Sequence, residues 1–318
     1  MKMKLDRHIP DDFQRAFIGH LLINRAKEAN PRIKANPILA IGGPSGVGKT
    51  SNTYALAAAM GCKVYPVQGS DLVAQLEGQG TELLIKALKD AASDETSLMP
   101  IVLVDDGDLG GLGCNPNISG TVNGEAIKGF VMGWADNPHA IKIDDGKSPQ
   151  RIIALQRAAC MIITTNRLDH LHPPMLGNQR ANVLNFVPEG KDMQNVLAGL
   201  FPKLGIADAG KLMARFPDQP ISFFASLKAA VATRVTLEQA EKFDGALSSV
   251  DWNRFSHQLE RVSEGASLKA LVAEGETITA QARDANFVRP ALPALHTPDA
   301  ALPAYTNGAM QPPKTLNA

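Results

Sequence analysis

A glycine-rich segment that ends in a lysine and a threonine carries the clearest chemical signal in this sequence. Residues 43–50 read GPSGVGKT and match the spacing G-x-x-x-x-G-K-[ST] in full. The backbone N–H groups of such a loop face the β-phosphate of a nucleotide, Lys49 reaches the β and γ oxygens, and Thr50 offers its hydroxyl to Mg²⁺. We therefore predict a binding loop for ATP with Mg²⁺, made of Gly43, Pro44, Ser45, Gly46, Val47, Gly48, Lys49, Thr50 and Ser51.

Two carboxylates follow a second apolar run. Residues 101–104 read IVLV, and Asp105 and Asp106 come directly after them. In a phosphate-loop fold the strand beside the loop ends in an acid that holds Mg²⁺ or its water, and we assign that task to Asp105. Asp106 is then predicted to polarise the attacking water as a general base. Asp108 could support either carboxylate.

A residue with a neutral amide side chain follows shortly after a third apolar run. Residues 161–163 read MII, and Thr164, Thr165 and Asn166 follow. An amide at this place can hold the attacking water or an oxygen of the γ-phosphate, which is a sensor role. Because Asn and Thr also end strands for turn reasons, the prediction for Asn166 depends on the other two motifs.

A parallel sheet has to position these residues. Five apolar runs are bounded by turn residues, at 38–41, 64–67, 101–104, 161–163 and 183–187. The gaps between them can hold helices, and this alternation indicates βαβ units and a sheet covered on both faces. Such a sheet binds its ligand beyond the carboxyl ends of its strands. The sequence therefore predicts an α/β fold.

Beyond Pro188 helical spacing replaces the apolar runs. Helices are predicted at 193–201, 207–216, 221–235, near Leu259 and at 268–280. We divide the chain into an α/β nucleotide-binding domain (1–188), a helical lid domain (189–285) and a disordered tail rich in Pro and Ala (286–318). The tail is not expected to be needed for ATP hydrolysis.

Composition narrows the function classes. The formal net charge of the 318 residues is zero, which argues against a broad basic surface for nucleic acid. The three cysteines are dispersed, which favours a reducing compartment without disulfides or a metal site. No run approaches the ~20 apolar residues that cross a bilayer, and the first residues have no apolar signal region. We expect a cytoplasmic protein without a membrane partner.

The segment after Asn166 is similar to the second region of homology of AAA+ ATPases; residues 167–180 read RLDHLHPPMLGNQR. Within that group the chain resembles the Rubisco activase family. The similar stretches are TVNG at 121–124, ADNP at 135–138 and FPDQPISFF at 216–224. The last of them matches the F-P-x-Q-x-I-x-F-F run of activases, and the resemblance covers about residues 8–236.

The resemblance implies a P-loop AAA+ sheet followed by a small helical domain. It also implies that the chain assembles into a ring, a homo-hexamer, with the nucleotide sites between subunits. Arg180 matches the second of two arginines that activases present to the γ-phosphate of the neighbouring subunit, and Gly177 stands at the first. Lys228 stands at the sensor-2 position, where activases have Arg; Lys keeps the charge and loses the bidentate fork. A surface charge is the alternative for both Arg180 and Lys228.

By position, the central-pore loops are residues 73–80 and 109–119. The first lacks the aromatic residue of protein-threading unfoldases. Plant activases also carry an N-terminal domain that helps to engage Rubisco, ahead of the region of resemblance. We expect this chain to lack that domain.

The resemblance implies a remodelling chaperone that couples ATP hydrolysis to the release of inhibitory sugar phosphates from Rubisco. A first alternative is an activase-like ATPase that remodels a protein other than Rubisco. A second is a DNA-handling ATPase, against which the zero net charge and the lack of a basic helix argue. A third is a small-molecule P-loop kinase, a design in which the helical domain and the region of Arg180 have no place.

Overall fold

A computed structural model of the chain describes residue 5 and residues 7–73, 78–114, 122–143, 151–177, 179–240 and 250–284. The chain divides into two compact units, residues 1–275 and 276–318. All the described strands and the predicted site residues lie in the first unit. No helix among the described residues is long and apolar enough to cross a membrane.

Five of the described strands form one parallel sheet. In chain order the strands are β1 (Ile38–Gly42), β2 (Val64–Gln68), β3 (Ile101–Asp105), β4 (Ala140–Ile143), β5 (Arg151–Ala154), β6 (Cys160–Thr165) and β7 (Ala181–Asn185). The sheet has the order β2-β3-β6-β1-β7, and all its neighbours are parallel. The five predicted strands and the α/β fold are therefore confirmed. The last strand, β7, begins at residue 181, two residues before its predicted start. It is an edge strand whose Val183 is 51% exposed, so its apolar residues do not mark its start.

One expectation about the sheet is wrong. The strand that ends in Asp105 was expected beside the strand of the phosphate loop, but β6 lies between β3 and β1. The three strands have almost the same fully buried apolar pattern, so their residues do not encode their order. The consequence is that Asn166, which follows β6, stands between the loop and the two carboxylates.

Helices cover both faces of this sheet. The described helices are α1 (Asp11–Ala29), α2 (Lys49–Ala59), α3 (Gln79–Ala92), α4 (Val122–Asp136), α5 (Gly190–Leu200), α6 (Gly205–Arg215), α7 (Ile221–Ala240), α8 (Trp252–Glu264) and α9 (Leu268–Asp284). Successive strand residues point to opposite faces. Val102 therefore shares a buried cluster with residues of α3 and α4, and Leu103 shares one with residues of α1 and α2.

After β7 the described residues contain helices and no strand, in agreement with the predicted helical region. Phe223, Leu227 and Val231 on α7 are buried and share one face of the helix, whereas Ala230 beside them is partly buried. The division at residue 188 stays a prediction, and the predicted tail 286–318 lies outside the described residues. The antiparallel pair β4–β5 was not predicted, because each strand has four residues and only Ile141 of the pair is fully buried.

Candidate nucleotide-binding site

The predicted phosphate loop connects β1 to α2, and its glycines are required by its shape. Gly43, Gly46 and Gly48 have φ angles of 148°, 77° and 95°, which side-chain-bearing residues rarely adopt. A Cβ atom on Gly43 would lie 2.1 Å from the carbonyl oxygen of Phe186, and one on Gly46 would lie 2.2 Å from Ser222 Oγ. The loop is therefore held between the segment after β7 and the start of α7.

Lys49 lies at the centre of the site, with 6% of its surface exposed. Its Nζ donates to the carbonyl oxygens of Gly43 at 2.7 Å and Pro44 at 3.0 Å, and to Asn166 Oδ1 at 3.0 Å. Burial lowers the pKa of Lys49, and the carboxylates of Asp106, Asp108 and Asp105 act in the opposite direction. The ammonium group thus joins the loop to the amide that follows β6.

Thr50 and Asp105 are in direct contact. Thr50 Oγ1 donates a hydrogen bond of 2.6 Å to Asp105 Oδ1, and the hydroxyl of Thr164 donates to the same oxygen. Hydroxyl and carboxylate oxygens are ligands that Mg²⁺ accepts. The two residues predicted to hold the metal ion therefore lie side by side and fit that role.

Asp106 has an unusual backbone conformation. Its φ and ψ angles are both 51°, in the left-handed region, where Asp and Asn are the side-chain-bearing residues seen most often. Its N–H donates to Thr164 Oγ1 at 3.0 Å, which fixes the turn after β3. Such conformations cost of order 1 kcal/mol and cluster at functional sites. The turn directs the chain from Asp105 into the short helix at Gly107–Leu109.

The electrostatic surroundings of Asp106 favour its neutral form. Burial raises its pKa, the charges of Asp105 and Asp108 raise it further, and Lys49 opposes the shift. Asp108 also accepts a hydrogen bond from the N–H of Asn166 at 3.3 Å. A carboxyl group whose pKa is raised in a cavity is a candidate general base.

We expect Asp106→Asn to raise the free energy of unfolding of the nucleotide-free protein at pH 7. Between the ordinary Asp pKa of about 3.9 and the raised folded pKa, the native state binds a proton that the unfolded chain releases, so stability falls as pH rises. Above that window the ionised Asp106 is a destabilising charge, and Asn removes it while tolerating the same backbone angles. Urea unfolding at several pH values measures the difference, which should shrink as the pH falls.

Asp169→Asn is the matched control for that stability change. Asp169 accepts two hydrogen bonds from Arg167, which lower its pKa, so its removal should not stabilise the protein at pH 7. Lower stability of Asp106→Asn at pH 7 would contradict the assigned direction of the Asp106 pKa.

Most of the residues predicted for the site line one cavity of about 860 Å³, a size suited to a small-molecule ligand. Asp105 is not among the lining residues and is connected to the cavity wall through its hydrogen bond with Thr50. The cavity lining includes Lys49, Asp106 and Asn166, and on α7 it includes Lys228, whose Nζ lies 3.1 Å from Glu264 Oε1. The remaining lining comes from the phosphate loop, Asn52 of α2, the segment before α1, α5, the start of α7 and α8. Lys228 is therefore placed in the cavity, and its sensor-2 role stays a prediction.

Arg180 does not line this cavity. It precedes β7, and its carbonyl oxygen accepts a hydrogen bond of 3.1 Å from the N–H of Ile38, the first residue of β1. The phosphate loop follows Gly42, the last residue of β1. Arg180 therefore lies at the amino end of the sheet, whereas the cavity lies at the carboxyl end.

Two groups of residues add to what the sequence predicted. Thr164 joins Asp105 and Asp106 through its hydroxyl; its place at the carboxyl end of a buried strand was the available signal. Arg7, His8 and Glu264 line the cavity, and no local motif marks them. Of the predicted pore loops, residues 74–77 and 115–119 lie outside the described residues. Val73 and Leu109, at their starts, are 58% and 64% exposed.

Comparison with known proteins agrees with this geometry. Residues 39–189 match the family model for the ATPase family associated with various cellular activities (AAA). These residues form a AAA ATPase domain. The AAA domain contains the phosphate loop, the pair Asp105 and Asp106, Asn166 and Arg180.

The chain is also similar to curated Rubisco activases. Ribulose bisphosphate carboxylase/oxygenase activase of Vigna radiata var. radiata is 26% identical over 221 residues, which cover 68% of this chain and 49% of that protein. The activase of Anabaena sp. is 24% identical over 205 residues, covering 63% and 48%. The chloroplastic activase of Arabidopsis thaliana is 27% identical over 222 residues, covering 68% and 46%. The chain spans about half the length of the curated relatives it matches.

Proposed function

We propose that this chain binds ATP with Mg²⁺ in the 860 Å³ cavity and hydrolyses it. One observation carries the proposal: Lys49 contacts Asn166 and Thr50 contacts Asp105, so that three separate motifs meet beside one cavity. Phosphoryl transfer depends mainly on such positioning and on neutralising charge.

Each side chain then has a task that its contacts support. Lys49 exchanges its bonds with the loop carbonyls for bonds with phosphate oxygens. Thr50 and Asp105 hold Mg²⁺, which supplies positive charge beside the phosphates. Asp106 accepts the proton of the attacking water, and the Asn166 amide orients that water or a γ-phosphate oxygen.

Asp106→Asn is expected to leave ATP bound and almost uncleaved. A neutral amide of the same size keeps the turn but does not accept a proton, and general-base catalysis contributes about 10²- to 10⁴-fold. Phosphate release under saturating ATP, together with titration of a fluorescent nucleotide, separates cleavage from binding. An equal loss of ATP cleavage and nucleotide binding would indicate that Asp106 binds the metal ion and is not the general base for the attacking water.

The position of Arg180 supports an assembly of several subunits. The five residues of β1 separate it from its own phosphate loop, about 17 Å at ~3.3 Å per residue, which exceeds the reach of its side chain. A role at a γ-phosphate therefore requires the site of another copy. We propose a homo-oligomeric ring, a hexamer by resemblance to AAA+ proteins.

The proposed client is Rubisco. On this proposal the chain is a chaperone that releases inhibitory sugar phosphates from Rubisco. Similarity to activases supports this, as does the place of FPDQPISFF: the N–H of Ser222 donates to the carbonyl oxygen of Gly46 at 3.0 Å. The activase-like stretch thus touches the phosphate loop itself. We further propose a cytoplasmic location.

The test is whether the purified protein restores carboxylation by sugar-phosphate-inhibited Rubisco when ATP is present. Lys49→Ala is the negative control in the same assay. ATP hydrolysis without recovery of carboxylation would favour an activase-like ATPase that acts on another protein. Binding of DNA at low salt, joined with DNA-stimulated hydrolysis, would favour the DNA-handling alternative.

A further inference from the structure

The guanidinium group of Arg180 is held by a carboxylate of its own chain. Nε donates to Asp136 Oδ1 at 2.7 Å and Nη2 donates to Asp136 Oδ2 at 2.9 Å, so the pair is bidentate. Nη1 donates to the carbonyl oxygen of Pro174 at 3.0 Å. Two independent partners therefore fix the plane and direction of this side chain.

These contacts leave part of the guanidinium open. Arg has five N–H donors in a planar fork, and the contacts above use three of them. No other described residue accepts a hydrogen bond from the guanidinium group of Arg180, and 29% of its side chain is exposed. One N–H group of Nη1 and one of Nη2 remain to bind another acceptor, such as a phosphate oxygen.

Asp136 is a firm support for that arrangement. It is the last residue of α4, and the preceding Trp134 and Ala135 are 2% and 4% exposed. The turn after it is closed by a hydrogen bond of 3.0 Å from the N–H of Asn137 to the carbonyl oxygen of Trp134. The carboxylate, whose side chain is 55% exposed, therefore projects from a helix end that is anchored in the core.

We propose that Asp136 is a positioning residue that holds Arg180 with its free N–H groups directed toward the γ-phosphate of a nucleotide bound by a neighbouring copy. This inference rests on the proposed function and assigns a role to the ADNP stretch at 135–138, which the nucleotide site does not use. A long side chain that is already ordered loses little rotamer freedom on meeting its ligand. The carboxylate reduces the net positive charge at Arg180, and the ordered geometry offsets that reduction.

Asp136→Asn is expected to lower kcat of assembled rings by about 10- to 100-fold, the effect of misplacing a catalytic group by about 1 Å. The nucleotide dissociation constant should not change, because Lys49 and its loop are untouched. Asp136→Glu keeps the charge and should retain more activity than Asp136→Asn. In an Arg180→Ala background, Asp136→Asn should cause no additional loss, since the two residues act as one unit.

A charge exchange separates positioning from a merely structural ion pair. Asp136→Arg combined with Arg180→Asp keeps opposite charges at the two positions but removes the cation from position 180. We expect it to recover melting temperature and not kcat; recovery of kcat would overturn the proposal. Glu238→Gln is the matched control, because it removes the carboxylate of another exposed pair, with Arg234, and should leave kcat unchanged.

Failure of this inference can be told from failure of the proposed function. If the wild-type protein releases phosphate and Lys49→Ala does not, the motor is established before Asp136 is tested. Equal turnover by wild-type and Asp136→Asn rings of the same size would then reject the positioning role alone. Wild-type turnover no higher than that of Lys49→Ala would reject both.

Discussion

Lys49→Ala is expected to abolish ATP hydrolysis. The substitution removes the ammonium group that lies between the phosphate loop and Asn166, with 2.7–3.0 Å contacts to three oxygens. Charge that develops on the transferring phosphoryl group then has no cation from the loop to neutralise it, and a single group of this kind contributes at least ~10²-fold in rate. Steady-state phosphate release measures the loss.

Two companion measurements make the Lys49 result specific. Circular dichroism and subunit assembly should show that Lys49→Ala still folds, because residue 49 is the first residue of α2 and alanine favours a helix. Lys211→Ala serves as the control, since Lys211 is exposed and pairs only with Asp208 among the described residues. Near wild-type turnover by Lys49→Ala would show that residues 43–51 do not hold the reacting phosphates.

The phosphate loop and the strands were predictable because each depends on neighbours in sequence. Gly43, Gly46 and Gly48 sit in one short segment, and their positive φ angles are what the motif requires. The carboxyl ends of parallel strands meet at one edge, so Asp105 and Asn166 could be placed near Lys49 without coordinates. In the structure Lys49 contacts Asn166, and Thr50 beside it contacts Asp105.

Features that depend on distant pairing could not be predicted. Arg180 and Asp136 are 44 residues apart, and no local pattern couples a helix end to the residue before an edge strand. The position of β6 between β1 and β3 is likewise set by packing between similar apolar strands. The left-handed conformation of Asp106 arises from the turn into the following short helix and from Thr164, which comes from another strand.

Arg180→Ala is expected to suppress hydrolysis strongly while sparing nucleotide affinity. An arginine supplied to the transition state contributes about 10³- to 10⁵-fold in rate, and Arg180 lies too far from its own loop to contribute there. Activity per subunit should also rise with protein concentration as rings assemble. Turnover of Arg180→Ala equal to wild type would mark Arg180 as a surface charge that pairs with Asp136.

Mixing Arg180→Ala with Lys49→Ala tests the direction in which the arginine acts. Each variant is expected to be inactive alone, but a mixed ring would contain interfaces in which one subunit supplies an intact Lys49 and its neighbour an intact Arg180. With equal amounts and random exchange, about one quarter of the interfaces in a head-to-tail ring meet that condition, whatever the ring size. We therefore expect recovery toward a quarter of wild-type activity if interfaces work independently. No recovery, in rings shown to exchange subunits, would mean that Arg180 does not act on a neighbouring site.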